Sequence, residues 1–356
     1  MSVEAPPRIL PGRVVRVRGG ALAVRVERRP FLVGCALVVL LLAVSVFGVG
    51  TGDYPLSPGE VIDTLLGGGD RSSAFIVETL RLPRVLCALL VGAALGLAGA
   101  LFQSLTRNPL GSPEIVGFTW GSAAGAVLAI TVIGSNSGAA VSGAAVAGGL
   151  LSAVLVVGLA WRHGIQGYRL ILVGIGIGLM LRAGTEYMLT RARFEDAITA
   201  AVWITGSLNG RSWEQVRPLA LTLVVLVPLA LALGRTLRAL ELGDDAARAL
   251  GAPVERGRLA LIVVAVALTA VATAAAGPIA FVALAAPQLA RRLTRASGPG
   301  LIPAMLMGAL LLEASDCAAQ RIWPAQQLPV GIVTGAIGGC YLAWLLASEW
   351  RGRRTA

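Results

Sequence analysis

A chain of 356 residues that is 56% hydrophobic and only 14% charged lacks the charged surface of a soluble fold, where about 25% of residues carry charge. Its formal charge of +11 comes from 30 basic residues, all of them arginine. The absence of lysine excludes a Walker A loop, whose lysine reaches the terminal phosphates of a nucleotide, so lipid is the expected solvent and any nucleotide hydrolysis belongs to another chain.

Residues 1–30 hold seven arginines and read as a basic cytoplasmic tail. It either lies on anionic headgroups or only sets orientation. The apolar run that follows is not read as a cleaved signal: its basic leader is too long, and no small-x-small site follows Val49. A spanning helix needs about 20 mostly apolar residues. Ten candidate windows occur, at 31–50, 84–104, 114–133, 138–161, 168–190, 216–234, 258–277, 281–290, 301–315 and 329–347, the eighth and ninth being short or weakly bounded. With the N-terminus inside, 21 of the arginines fall in inner segments, eight in outer ones, and Arg182 within a span. The positive-inside rule therefore explains the basic charge without nucleic acid. The expected fold is an all-α polytopic membrane protein of about ten transmembrane helices with both termini cytoplasmic. It forms one permease domain over 31–350, followed by a cytoplasmic tail at 351–356.

Between the first two spans, "SPGEVIDTLL" (57–66) predicts a short capped helix, with Ser57 as cap, Pro58 first and Glu60 at the third helical position. Small residues recur at helix-packing spacing in Gly92/Gly96, Gly117/Gly121/Gly125, Gly174/Gly178 and Gly335/Gly339. "RNPLGSPEIVG" (107–117) and "AAAGPIAFV" (274–282) predict either helices broken at membrane depth, as at transport pathways, or ordinary tight turns. "SLTRNPLG" (104–111) and "RLTRASGPG" (292–300) echo each other faintly. Arg182 and Glu186 stand four apart on one helix; they either shield each other or place a cation on a path for an anionic ligand.

The stretch Leu240–Arg258, "LELGDDAARALGAPVERGR", puts four acidic and three basic residues into an otherwise apolar chain. It predicts a short helix with an Asp244–Arg248 pair, with Ala247 and Leu250 on one face and a stop at Gly251 and Pro253. Cys35, Cys87, Cys317 and Cys340 are far apart and read as packing residues. His163 is the single histidine, so neither a metal site nor a histidine-dependent hydrolase is expected. Deep ionisable groups of a proton-coupled carrier are few, so an ion-coupled secondary transporter is the more distant alternative.

The block "LRLPRVLCALLVGAALGLAGALFQSLTRNPLGSPEIVGFTWGSAAGA" (80–126) resembles the FecCD-type iron-chelate permeases, the family that includes the vitamin B12 permease. "AGPIAFVALAAPQLAR" (276–291) and "LPVGIVTGAIGGCYLAWLL" (328–346) are similar to later family blocks. "TGSLNGRSW" (205–213) is most similar to the ferric-enterobactin permease branch. The resemblance implies a vitamin B12 permease-like bundle in the bacterial cytoplasmic (inner) membrane, with no cofactor and no catalytic residue of its own. It implies three kinds of partner: a second FecCD-type permease in a heterodimer, two ABC ATPase subunits, and an extracytoplasmic siderophore-binding protein. The implied substrate is a ferric siderophore of the catecholate, enterobactin-like kind, with cobalamin or haem as alternatives. Residues 240–258 would be the ATPase-coupling loop, with Leu242, Gly243, Ala247, Arg248, Leu250 and Gly251 at its matching positions and Asp244 as a further coupling residue. Arg81 and Arg84 match arginines that meet acidic residues of the binding protein. The family's Asp-x-x-x-Arg element is altered, since Asp316 is followed by Gln320 with Arg321 one residue later. Asn108 and Leu110 match the inner-gate turn, and Arg182 would face the pathway.

Overall fold

The computed structural model describes residues 13–16, 23–26, 28–52, 54–135, 137–162, 164, 166–296, 298–322 and 328–354, with backbone only for 13–16, 23–26 and 345–354. His163 and most of the predicted tail lie outside the described residues. The valine-rich stretches RVVR and AVRV form an antiparallel pair of strands, β1 (Arg13–Arg16) and β2 (Ala23–Val26), with Arg13 opposite Val26. The all-helical expectation therefore holds for the bundle but not for the segment before it, where β-branched valines favour strand.

Helices follow in the order α1 (Arg28–Gly50), α2 (Pro58–Leu65), α3 (Arg71–Ala74), α4 (Leu82–Thr106), α5 (Phe118–Thr131), α6 (Gly138–Ala160), α7 (Gly167–Arg191) and α8 (Phe194–Ile204). Then come α9 (Trp213–Ala232), α10 (Gly234–Glu241), α11 (Asp244–Ala249), α12 (Val254–Ala276), α13 (Val282–Thr294), α14 (Leu301–Ile322) and α15 (Val330–Arg354). Each of the ten apolar windows coincides with a helix. Among the described residues, seven helices are long and apolar enough to cross a membrane, counting α3 to α4 as one continuous helix. The capping box of α2 forms as predicted: Ser57 N–H donates to Glu60 Oε2 at 2.7 Å, and Glu60 N–H donates to Ser57 Oγ at 3.3 Å.

The second span begins earlier than its apolar window. A π-helical turn, Phe75–Arg81, joins α3 to α4. Pro83 supplies no N–H and crowds the carbonyl four residues back, and the widened turn accommodates it: Leu82 N–H reaches Val77 O. The Glu78 carbonyl so released accepts from Trp213 Nε1 at 3.0 Å.

Helix α4 is the axis of the bundle. It is apolar all round, as a helix surrounded by protein should be, and 78% of the apolar window of its span is buried; α9, α12, α13 and α14 pack against it. Glycine sets the closeness of these contacts. A Cβ at Gly92, Gly96 or Gly308 would enter the backbone of the facing helix in the α4–α14 crossing, and one at Gly121, Gly125 or Gly148 would do so between α5 and α6. Gly117, with φ +82°, lies against Gly174 and Gly178 of α7. Three of the four small-residue sets thus mark real crossings. Gly335 and Gly339 meet nothing within 4 Å.

Helices α5 and α13 are short: at about 1.5 Å per residue, 13 or 14 residues reach only about 20 Å of a ~30 Å apolar layer. Each is preceded by one of the two interrupted segments, and each starts from a left-handed residue, Gly117 or Phe281 (φ +67°). The faint echo has a structural counterpart as well. Arg107 and Arg295 both cap their helices in the left-handed conformation, at φ 50° and 49°.

Replacing Gly308 by Leu should cost at least about 1–3 kcal/mol through overpacking, read as a lowered unfolding temperature in detergent. Gly335→Leu should stay within about 0.5 kcal/mol of the parent. Equal melting of the two variants would show that the α4–α14 crossing is not the tight contact described.

Candidate functional site

Three groups of sequence-predicted residues come together in space. The first is the elbow between α10 and α12. Leu242 and Gly243 turn the chain (Gly243 φ +109°), α11 follows, and Gly251 in the left-handed region (φ +76°) ends it. Ala252 N–H bonds to Ala247 O at 2.9 Å and Gly251 N–H to Arg248 O at 2.9 Å, the doubled closure of a glycine-stopped helix. Ala247 is fully buried, whereas Leu242 and Leu250 are each 67% exposed. Ala247 and Leu250 therefore do not share a face as the spacing suggested: the six-residue helix ends just before Leu250 and the chain turns outward.

The predicted Asp244–Arg248 pair does not form either. Arg248 binds Asp245 at 3.1 Å and lies 3.9 Å from Glu255, both on the solvent side. Asp244 Oδ1 instead accepts from Arg258 Nη2 at 2.7 Å and from Arg107 Nη2 at 3.0 Å. Partial burial works to raise the Asp244 carboxyl, but the Arg258 and Arg107 guanidiniums outweigh it and hold the group below the usual aspartate range. A depressed carboxylate contributes stability above the unfolded-state value, and that contribution is lost as pH falls through the folded value. The elbow is therefore anchored at neutral pH and loosens in acid.

The second group is the turn after α4, which the resemblance marks as an inner gate. Asn108 Oδ1 accepts from Leu110 N–H at 2.9 Å, closing a side-chain-stabilised turn that leaves Leu110 43% exposed. Arg107 ties this turn to the elbow through Asp244 and through the Leu240 carbonyl at 2.8 Å. Two residues that the sequence reading passed over hold its other side. Gln288 Nε2 donates to Gln103 Oε1 at 2.6 Å and to Pro109 O at 3.2 Å, and Gln103 Nε2 donates to Leu284 O at 2.9 Å. Their signal was present as amides inside apolar runs, where polar groups need partners.

The interrupted segments also meet each other. Glu114 Oε2 accepts from Phe281 N–H at 3.2 Å. A cavity of about 220 Å³ opens beside this contact, lined by Glu114, Thr119, Trp120, Thr205 and Pro278 among others. The two segments are thus broken helices against a cavity, and not tight surface turns. Trp120 lies under Arg182, whose guanidinium carbon is 5.3 Å from the ring centroid. Arg182 also pairs with Glu186 at 2.9 Å, both side chains more than half exposed.

The third group lies at the opposite end, around the loop after α1. Arg81 donates to the carbonyls of Val49 and Tyr54 at 2.8 and 2.6 Å. Arg321 stacks 3.9 Å over the Phe47 ring and donates to Thr51 Oγ1 and to the Cys317 carbonyl. Arg84 makes a two-pronged contact with buried Asp316, at 2.8 and 2.9 Å. Gln320 donates to the same carboxylate at 2.8 Å, filling the place that the altered Asp-x-x-x-Arg spacing vacates. Cys87 and Cys317 are buried, while Cys35 and Cys340 are exposed, and all four are free thiols. Among the described residues no group of three or more His, Cys, Asp or Glu side chains is placed to hold a metal ion.

Residues 39–348 match the FecCD transport family. The chain is 47% identical over 324 residues to the ferric enterobactin transport system permease protein FepG of Escherichia coli K12, covering 91% of this chain and 98% of that protein. It is 40% identical to the Fe(3+)-citrate import system permease protein YfmE of Bacillus subtilis 168, covering 92% and 98%. A solved metal-chelate type ABC transporter in an inward-facing conformation superposes with a TM-score of 0.78 at 29% identity, over 89% of this chain and 99% of that one. The elbow, the broken helices and these likenesses lead to one conclusion: the chain belongs to the FecCD transport family, as a multi-pass membrane permease of the ABC transporter class and not an enzyme.

Proposed function

We propose that this chain is one half of a heterodimeric importer in the bacterial cytoplasmic membrane, with ten spans and both termini inside, that carries ferric siderophores of the catecholate class. Two separate ATPase subunits drive it, and an extracytoplasmic binding protein delivers the chelate. The observation that carries this reading is the elbow at 240–258. Leu242 and Leu250 flank a compact helix and are presented outward, which suits a groove on a soluble partner, while Asp244 fastens the inner side of that helix to the gate turn. A push on α11 thereby reaches Asn108 and Leu110 through Arg107. The substrate class is supported by the likeness to the enterobactin permease. Arg182, exposed on α7 and stacked on Trp120, is the cation suited to an anionic ferric chelate passing between two permeases. The likeness to a ferric citrate permease favours ferric citrate as the second reading; both are anionic ferric chelates.

Arg81 and Arg321 sit at the outer end, beside the loop after α1, where their charge suits acidic groups of the binding protein. Arg84 contributes there by holding the α4–α14 frame through Asp316.

Uptake of radiolabelled ferric enterobactin, ferric citrate and cobalamin by a strain lacking its own permeases tests the substrate. Enterobactin uptake should depend on this chain and on the ATPase. Uptake of cobalamin alone, or uptake that survives loss of the ATPase, would overturn the proposal. Asp244→Ala should lower uptake by roughly 5–150-fold, the size of a lost coupling term, with the permease still present in the membrane; Arg248→Glu should weaken ATPase binding with little effect on folding. Arg81→Glu combined with Arg321→Glu should weaken docking of the binding protein in nanodiscs, most visibly at low salt. Arg84→Glu should act differently, destabilising the permease by about 3–5 kcal/mol, because it leaves Asp316 buried without its counter-charge.

A further inference from the structure

The hydrogen bonds around α13 assign a role to two residues that no part of the transport reading has used. The inner-gate turn sits within the interrupted segment 107–117. Near its start, Gln288 Nε2 holds the Pro109 carbonyl, and Gln288 is itself locked to Gln103. Near its end, Glu114 places a carboxylate oxygen on Phe281 N–H. Phe281 precedes the first turn of α13, where backbone N–H groups lack helical acceptors and the helix dipole favours negative charge. Both fastenings therefore land on the same helix, seven residues or about 10 Å apart along its axis.

We propose that Glu114 and Gln288 are positioning residues that make the inner-gate turn, α13 and the 277–281 segment move as one body. The elbow can then shift all three through Arg107. The geometry favours this over independent motion. Separating the turn from α13 would break the Gln288–Pro109 bond and leave the part-buried Phe281 N–H without its acceptor in the bundle, where little water replaces a lost partner. Glu114 Oε1 has no protein partner and adjoins the cavity, as does the unpartnered Thr119 hydroxyl. The fastening at this end is thus a single bond, and an amide oxygen can supply it as well as a carboxylate. Charge is not required; an acceptor at this position is.

The uptake arm of the test rests on the transport reading above, whereas the exchange arm does not. The complete transporter is reconstituted with its ATPase subunits and binding protein, and given ferric enterobactin. Glu114→Ala and Gln288→Leu should each lower uptake by about tenfold or more while stimulated ATP hydrolysis stays within about twofold of the parent, a coupling loss of the usual size. Glu114→Gln should restore uptake. In parallel, backbone hydrogen exchange of the peptide spanning 277–286 should speed up by about tenfold or more in Glu114→Ala and stay unchanged in Glu114→Gln. Should Glu114→Ala fail to fold, Gln288→Leu and the Glu114→Gln comparison still decide. Parent-like uptake by the folded Ala or Leu variant, unaltered exchange in Glu114→Ala, or a Gln variant as defective as Ala overturns the proposal. If the parent transporter imports no ferric enterobactin, the substrate reading fails, and the exchange result alone decides the fastening.

Discussion

Backbone that leaves the helix inside a membrane has no water to bond, and this constraint shapes the bundle more than any other. The permease breaks two helices, at 107–117 and at 277–281, and the consequences are visible in the side chains gathered there. Gln103 and Gln288 answer the carbonyls of Leu284 and Pro109, and Glu114 answers the N–H of Phe281. Each is a polar residue in an apolar neighbourhood, and each would be costly there without these partners. Helices α5 and α13 are short because each starts only after a stretch of non-helical backbone.

Glycine makes this arrangement compact. Lipid tails are as apolar as leucine, so helices in a membrane gain from close packing and not from escape from water. Gly92 and Gly96 on α4 against Gly308 on α14 bring two backbones together, and Gly117 lets the end of the first interrupted segment settle on α7. The cavity beside Glu114 and the Arg182–Trp120 stack lie next to the Gly117 contact.

At the two ends of the bundle charge has different uses. At one end Asp244 is shared by Arg107 and Arg258, which joins the turn after α4, the elbow and the foot of α12 at one carboxylate. Arg248 remains on the solvent side with Asp245 and Glu255, where ion pairs are weak and a partner can compete for them. At the opposite end Arg81 and Arg321 hold the loop after α1 against α4 and α14, and Arg84 ties α4 to α14 through Asp316. Arginine suits this work because its planar fork serves two acceptors at once.

Composition and hydropathy alone determined the lipid-facing character, the ten apolar windows and the dependence on an outside source of energy, because these follow from residue type summed over lengths of about twenty. The capping box at Ser57 and the stop at Gly251 were also legible, being local patterns within a few residues. The elbow was legible as an island of charge, but its pairing was not. Local spacing offered Arg248 to Asp244, whereas Arg107, 137 residues away in sequence, took that place. The start of α4 was hidden because a π-helical turn carries a helix past a proline that usually begins one. Gln103, Glu114 and Gln288 could be seen as polar residues out of place, but their common purpose could not. Their partners are backbone atoms of other segments, and backbone atoms are the same in every sequence; only the tertiary structure decides which of them are left without a helical partner and which side chain is near enough to answer.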